Sequence, residues 1–173
     1  MKKASTTSGA VWETDLVASG MARWRRERPD IDCSGKAIIG RVLQMHDIIL
    51  KAVDRVLAKH GLKYATYAVL ATLRVEGEPY QMSPSELGQT LLLSSGGLSN
   101  LLGRMERAGW VQRSADKRDG RGVIVSLTAD GLALADAAMT DHADIERQLV
   151  AVLAPEDRET VGRFLSLMIT AHP

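Results

Sequence analysis

Ser95, Gly97, Ser99, Asn100 and Arg104 lie in a stretch whose apolar residues, Leu98, Leu101, Leu102 and Met105, repeat at three and four. That period places the apolar set on one helix face and leaves the polar set for another partner. Small residues let a backbone approach closely. An asparagine carboxamide and an arginine fork can each make two hydrogen bonds to a flat edge, as adenine and guanine offer in the DNA major groove. A second chemical group follows. Lys117, Arg118 and Arg121 fall in the turn-type run ADKRDGRG, between two β-rich runs at Trp110 to Ser114 and Val123 to Leu127. Cations on such a tip suit phosphate oxygens. From Ser94 to Gly122 there are six cations and three anions, a local +3 in a chain of net charge +1. The remainder sums to −2, so the basic surface is concentrated where the base-reading residues are.

The rest of the composition excludes other chemistries. At 173 residues the chain is about one domain, and 45% hydrophobic residues can fill a core. Only 4% are aromatic, so that core is aliphatic. One cysteine, Cys33, allows neither an internal disulfide framework nor a CxxC zinc site. His46, His60, His142 and His172 show no metal-ligand spacing. There is no HExxH, P-loop or GxGxxG motif. Ser114 and Lys117 form an S-x-x-K string, but on a charged hairpin tip without supporting acids or bases. The expectation is a non-enzyme without metal or cofactor. No apolar run approaches membrane-spanning length and no signal-peptide core follows Lys2 and Lys3, which points to a cytoplasmic protein without membrane contact.

The positioning elements read as mostly helical. After a small, polar start, Val11 to Arg28 reads as an extra helix ending in Arg23, Arg25, Arg26 and Arg28, with Pro29 as its stop. Ser34 or Gly35 to His60 is a long helix with Ile38, Val42, Met45, Ile49, Val53, Val56 and Leu57 on one stripe and Gly61 as its terminator. Thr66 to Arg74 is another helix, and Tyr80 to Met82 a short strand suited to pairing with the hairpin. Ser83, Pro84 and Glu86 make a capping box for a helix reaching Leu92. A brief turn then leads to the helix of Asn100 and Arg104: a helix-turn-helix whose second helix reads DNA. Thr128 caps a long helix running towards Pro155. A last helix from Pro155 is expected to bury Val161, Phe164, Leu165 and Met168. The predicted fold is mainly α with a small β-wing, a winged helix-turn-helix (63–127) joined to a helical dimerisation region (34–62 and 128–173) and an N-terminal extension (1–33). The terminal helices present more apolar surface than a monomer exposes, so a homodimer is expected. Its two reading helices would sit about 34 Å apart on a pseudo-palindrome of double-stranded DNA.

The stretch Ser83 to Gly131 resembles the MarR (multiple antibiotic resistance regulator) family. Asp116-Lys117-Arg118-Asp119-Gly120-Arg121 matches that family's D-x-R-x-x-R wing, and Leu127-Thr128-Ala129-Asp130-Gly131 its LTxxG continuation. The likeness extends from about Lys36 to Ile169. WRRERPDID and SSGGLSN further resemble the urate-responsive branch. The resemblance implies a homodimeric repressor released from DNA by a small aromatic or anionic effector, with Asp116 bracing the wing arginines and Arg118 at the minor groove. That branch holds its effector with a tryptophan, an aspartate and two arginines. Trp24 and Arg113 match two of them; Ala68 stands for the aspartate and Leu101 for the first arginine. A site that loses polar partners rejects its original ligand. The implied effector is therefore an aromatic carboxylate or phenolic compound, not urate. Arg113 would pair with its carboxylate, Trp24, Tyr67 and Leu101 would hold the ring, and His46 would donate a hydrogen bond. The competing reading within the family is a peroxide sensor using Cys33, which lies in the turn DIDCSG before the first family helix.

Overall fold

The structure is a computed structural model describing residues 15–116 and 122–172. The basic residues Lys117, Arg118 and Arg121 and the expected helix start at Val11 lie outside the described residues. The chain divides into two compact units, Met1–Lys51 and Ala52–Pro173. The described residues form seven helices and three strands, the mainly helical fold with a small sheet expected from the sequence.

In the first unit, helix α1 (Leu16–Glu27) starts where Asp15 can cap it: its carboxylate accepts the Ala18 N–H at 2.8 Å. That bond, with Arg41 Nε at 2.8 Å, holds the Asp15 carboxyl below its ordinary range. Met21 is the buried residue of α1, and Val17 packs against Gly40. Cys33 is buried in the turn that Asp32 closes onto the Ser34 N–H. Helix α2 (Lys36–Ala58) follows. Its first-unit part leaves Ile38, Ile39, Val42, Leu43, Met45, Ile48, Ile49 and Leu50 exposed.

The second unit holds the core. The end of α2 buries Val53, Val56 and Leu57, and Gly61 (φ +68°) terminates it, a backbone state glycine enters without strain. Helix α3 (Tyr64–Val75) begins two residues before the predicted Thr66, because Lys63 is the extended residue at its cap. It buries Tyr67, Val69, Leu70 and Leu73. Strand β1 (Gln81–Met82), helix α4 (Pro84–Leu91), helix α5 (Ser95–Arg107), strand β2 (Val111–Ala115), strand β3 (Val123–Leu127) and helix α6 (Ala129–Leu149) come next, then α7 (Pro155–Thr170). The sheet is antiparallel in the order β1-β3-β2, with Gln81 and Gln112 both opposite Ser126. Leu57, Leu70, Leu73, Leu87, Leu102, Met105, Val111 and Val125 are fully buried, giving an aliphatic core between α3, the helix pair and the sheet. Helix α6 is held on α3 and the turn before it by three longer-range contacts. His60 Nε2 is 3.0 Å from Asp141 Oδ2, Arg74 Nε donates to Asp136 Oδ1 at 2.6 Å, and the Tyr67 and His142 rings stack with centroids 4.6 Å apart.

Helix α7 corrects one expectation. None of its residues is buried; Phe164 is 56% exposed, Val161 and Leu165 are exposed, and Met168 is half-buried. The spacing sets Val161, Phe164, Leu165 and Met168 on one face, and the described residues do not bury it.

Candidate nucleic-acid interface

The α4–α5 pair is built from local signals. Ser83 Oγ accepts the Glu86 N–H at 3.2 Å, and the Glu86 carboxylate accepts the Ser83 N–H at 2.8 Å, so both halves of the capping box are made. Leu92 ends α4 in the left-handed region (φ 53°), turning the chain sharply before Ser94 caps α5 through the Gly97 N–H at 3.3 Å. The helices pack closely at Gly88, where a Cβ would be in ordinary van der Waals contact with the Leu93 carbonyl and a Leu98 methyl. On α5, Leu98, Leu101, Leu102 and Met105 are buried, while Ser95, Gly97, Ser99, Asn100 and Arg104 are exposed. The predicted reading residues therefore share the solvent side of one helix. Arg104 makes no ion pair among the described residues, so its fork is available. Arg107 instead turns back to the Gly103 carbonyl (Nε···O 3.1 Å).

Arg113, on β2, reaches across to α5. Its Nη2 donates to the Ser99 carbonyl at 3.2 Å, and its Nε lies 3.7 Å from Glu106 Oε2. It also lines a hollow of about 420 Å³ with Pro84, Ser85, Ser95, Leu98, Ser99, Leu102 and Val123. The hollow thus joins a cation, three hydroxyls and an apolar wall to two of the reading residues. Sequence reasoning singled out Arg113 but not its neighbours in the hollow, Ser85, Leu98 and Val123, which no local pattern links.

The other effector candidates are distributed differently. Leu101 is 5% exposed and belongs to the core. Tyr67 is buried against His142; burial, then the Glu146 charge and Tyr64, pushes its phenol above its ordinary range. Ala68 is half-buried on α3. In the first unit, Trp24 carries Lys36 Nζ 4.2 Å from its ring centroid and walls a separate hollow of about 260 Å³ with Arg23, Glu27 and Arg28. His46 is exposed beside Asp47, at 3.6 Å. Among the described residues no cluster of three metal-ligating side chains occurs, and no helix is long and apolar enough to cross a membrane. Cys33 is a buried free thiol, a setting that shields it from peroxide.

A capped helix pair with an exposed polar reading face, followed by an antiparallel strand pair and backed by β1, defines a winged helix-turn-helix DNA-binding protein. The sequence model of the MarR family matches residues 60–122. The chain is 34% identical over 142 residues to the HTH-type transcriptional regulator PecS of Dickeya dadantii, covering 82% of this chain and 86% of that protein. It belongs to the MarR family and is a DNA-binding transcriptional regulator. Among solved structures it is similar to AbsC, a MarR family transcriptional regulator from Streptomyces coelicolor, with TM-score 0.74 and 25% identity over 82% of this chain and 95% of that one. A cysteine-to-serine mutant of MarR from E. coli, complexed with operator DNA, matches with TM-score 0.68 and 25% identity over 83% of this chain and all of that one, 100%.

Proposed function

We propose that this regulator is a homodimeric repressor that leaves a pseudo-palindromic operator when a small aromatic carboxylate or phenolic acid binds. The observation that carries the reading is the sharing of Ser95 and Ser99 between the exposed reading face and the Arg113 hollow. A carboxylate on Arg113, with its ring against Leu98, Leu102 and Val123, would occupy groups that DNA also needs. Such a ligand binds the free protein better than the bound one, and linkage then favours release. The hollow is of ordinary size for a small ligand. Benzoate, cinnamate and indole-acetate types fit this chemistry. Urate does not, because Ala68 and Leu101 replace two of the polar groups that the urate-responsive branch uses. Trp24, with Ala68 and Leu101 at the two altered positions, is proposed as an effector residue on the resemblance, and His46 and Tyr67 on the chemistry of an aromatic acid; none of the five lines the Arg113 hollow.

A mobility-shift titration on the DNA upstream of the regulator's own gene tests this. Release by an aromatic acid with retention in urate is expected. Release by micromolar urate alone would overturn the effector class.

Dimerisation is supported by the exposed Val161, Phe164, Leu165, Leu167 and Ile169 of α7 and by the exposed stripe of α2. The proposed division is a dimerisation region at 34–62 and 128–173 around a DNA-reading domain at 63–127. Phe164→Glu puts a charge on that face and is expected to move the protein to monomer in sedimentation, with loss of operator binding. A dimer that survives it would remove α7 from the interface. Arg118→Ala, in the basic run between the two strands, is expected to weaken operator binding and lower the salt slope by about one phosphate equivalent. An unchanged slope would take Arg118 off the DNA.

A further inference from the structure

We infer that Glu106 sets the charge selectivity of the Arg113 hollow, admitting singly charged acids and turning away dianions. The inference rests on the reading that Arg113 receives an effector carboxylate.

Among the described residues lining the hollow Arg113 is the one cation; the other polar groups there, Ser85, Ser95 and Ser99, are neutral. The charge offered to a ligand is therefore that of Arg113 less whatever its neighbours cancel. Glu106 is the neighbour that cancels it, with Oε2 3.7 Å from Arg113 Nε. Ser99 and Glu106 stand seven residues apart on α5, two turns along one face, so one helix supplies both groups that hold the guanidinium. Glu106 does not line the hollow. It acts through Arg113, as a positioning residue and a counter-charge.

Its placement has no reason in the helix itself. Glu106 sits in the last turn of α5, where a negative charge opposes the helix dipole. Its ordered partner is Arg113. A guanidinium has five donor hydrogens, so one incoming carboxylate can share it with Glu106 and the Ser99 carbonyl. A second carboxylate on the same ligand finds no second cation among the described lining residues and lies in the field of Glu106. Both side chains are partly exposed, which screens the effect and keeps it moderate.

Benzoate and phthalate differ by one carboxylate and are the probes. Calorimetric titration above neutral pH, where both phthalate carboxyls are ionised, gives the affinity ratio on the full-length protein. The wild-type chain is expected to prefer benzoate. Glu106→Gln is expected to raise phthalate affinity roughly tenfold and benzoate affinity only about threefold, narrowing the preference. Glu106→Asp, which keeps the charge, is expected to restore it. A glutamate with a merely structural role would move both acids together, so an unchanged ratio in Glu106→Gln overturns the inference. If Arg113→Met still abolishes benzoate binding in that case, the effector reading stands without it. If Arg113→Met leaves benzoate affinity intact, or the wild-type chain takes up no benzoate, the effector reading fails and the inference fails with it.

Discussion

Alanine at Gly131 is expected to destabilise the protein by more than about 3 kcal/mol, beyond the usual 1–3 kcal/mol for overpacking a core. Gly131 is the third residue of α6, and its Cα faces the backbone carbonyl of Trp110 so closely that an added Cβ would overlap it. The clash falls on main chain, so no side chain can swing away. Nor can Trp110 retreat. Its carbonyl accepts the Thr128 N–H at 3.1 Å, and its own N–H donates to the Met105 carbonyl at 3.0 Å. Thr128 closes the junction by accepting the Gly131 N–H at 3.0 Å and donating to the Gly109 carbonyl at 2.6 Å. One glycine thus lets the end of α5, the start of β2 and the start of α6 meet. The measurable result is a melting temperature lower by roughly 10 °C in a chain of this size. Gly103→Ala is the control: it lies inside α5 with no heavy atom within 4 Å of its added Cβ, and helix propensity alone predicts a gain of up to about 1 kcal/mol. Equal melting temperatures for the two variants would refute the close approach at Gly131.

This junction shows what the sequence made legible. The LTxxG phrase marked a helix start, and Thr128 is its cap, but the need for glycine comes from a carbonyl twenty-one residues earlier. Local signals transferred well. The capping box at Ser83, the stripe from Leu98 to Met105 and the strand Val123–Leu127 all depend on neighbours within a few positions. Strand β2 begins one residue later than expected, at Val111, although the Trp110 carbonyl still accepts the Thr128 N–H in the same register. The contacts that dock α6 were not legible. His60 with Asp141, Arg74 with Asp136 and Tyr67 with His142 join residues more than sixty positions apart, and no periodicity encodes such pairs. Helix α7 shows the same limit from the other side: spacing tells which face is apolar and is silent on what covers it. Leu101 reads both as core and as a pocket wall, and the side chain is in the core. Arg113 was legible as a cation at a strand end. Its tie to Ser99 and Glu106 required the sheet to lie beside α5.

Arg104→Ala is expected to be the most damaging single change on the reading face. The side chain is exposed on α5 and makes no ion pair among the described residues, so removing it costs the free protein little. A bidentate contact to a base contributes about 1–3 kcal/mol of discrimination. In a dimer on two half-sites the loss is taken twice, about 2–6 kcal/mol, or roughly thirtyfold to more than ten-thousandfold in operator affinity. Arg104→Lys separates the terms: it keeps the charge and loses the fork, so it should retain the salt slope while losing preference for the operator over random DNA. Arg107 supplies the contrast. Its guanidinium is turned back onto the Gly103 carbonyl, and Arg107→Ala should therefore weaken binding through general charge alone, equally on operator and random sequence. Fluorescence anisotropy with both DNAs at two salt concentrations reads all three variants. If Arg104→Ala and Arg107→Ala lose affinity alike and neither changes the operator preference, Arg104 contacts phosphate and the base reading must come from Asn100 and the serines of the same helix. If Arg104→Ala changes nothing, the exposed face of α5 is not the surface that meets DNA.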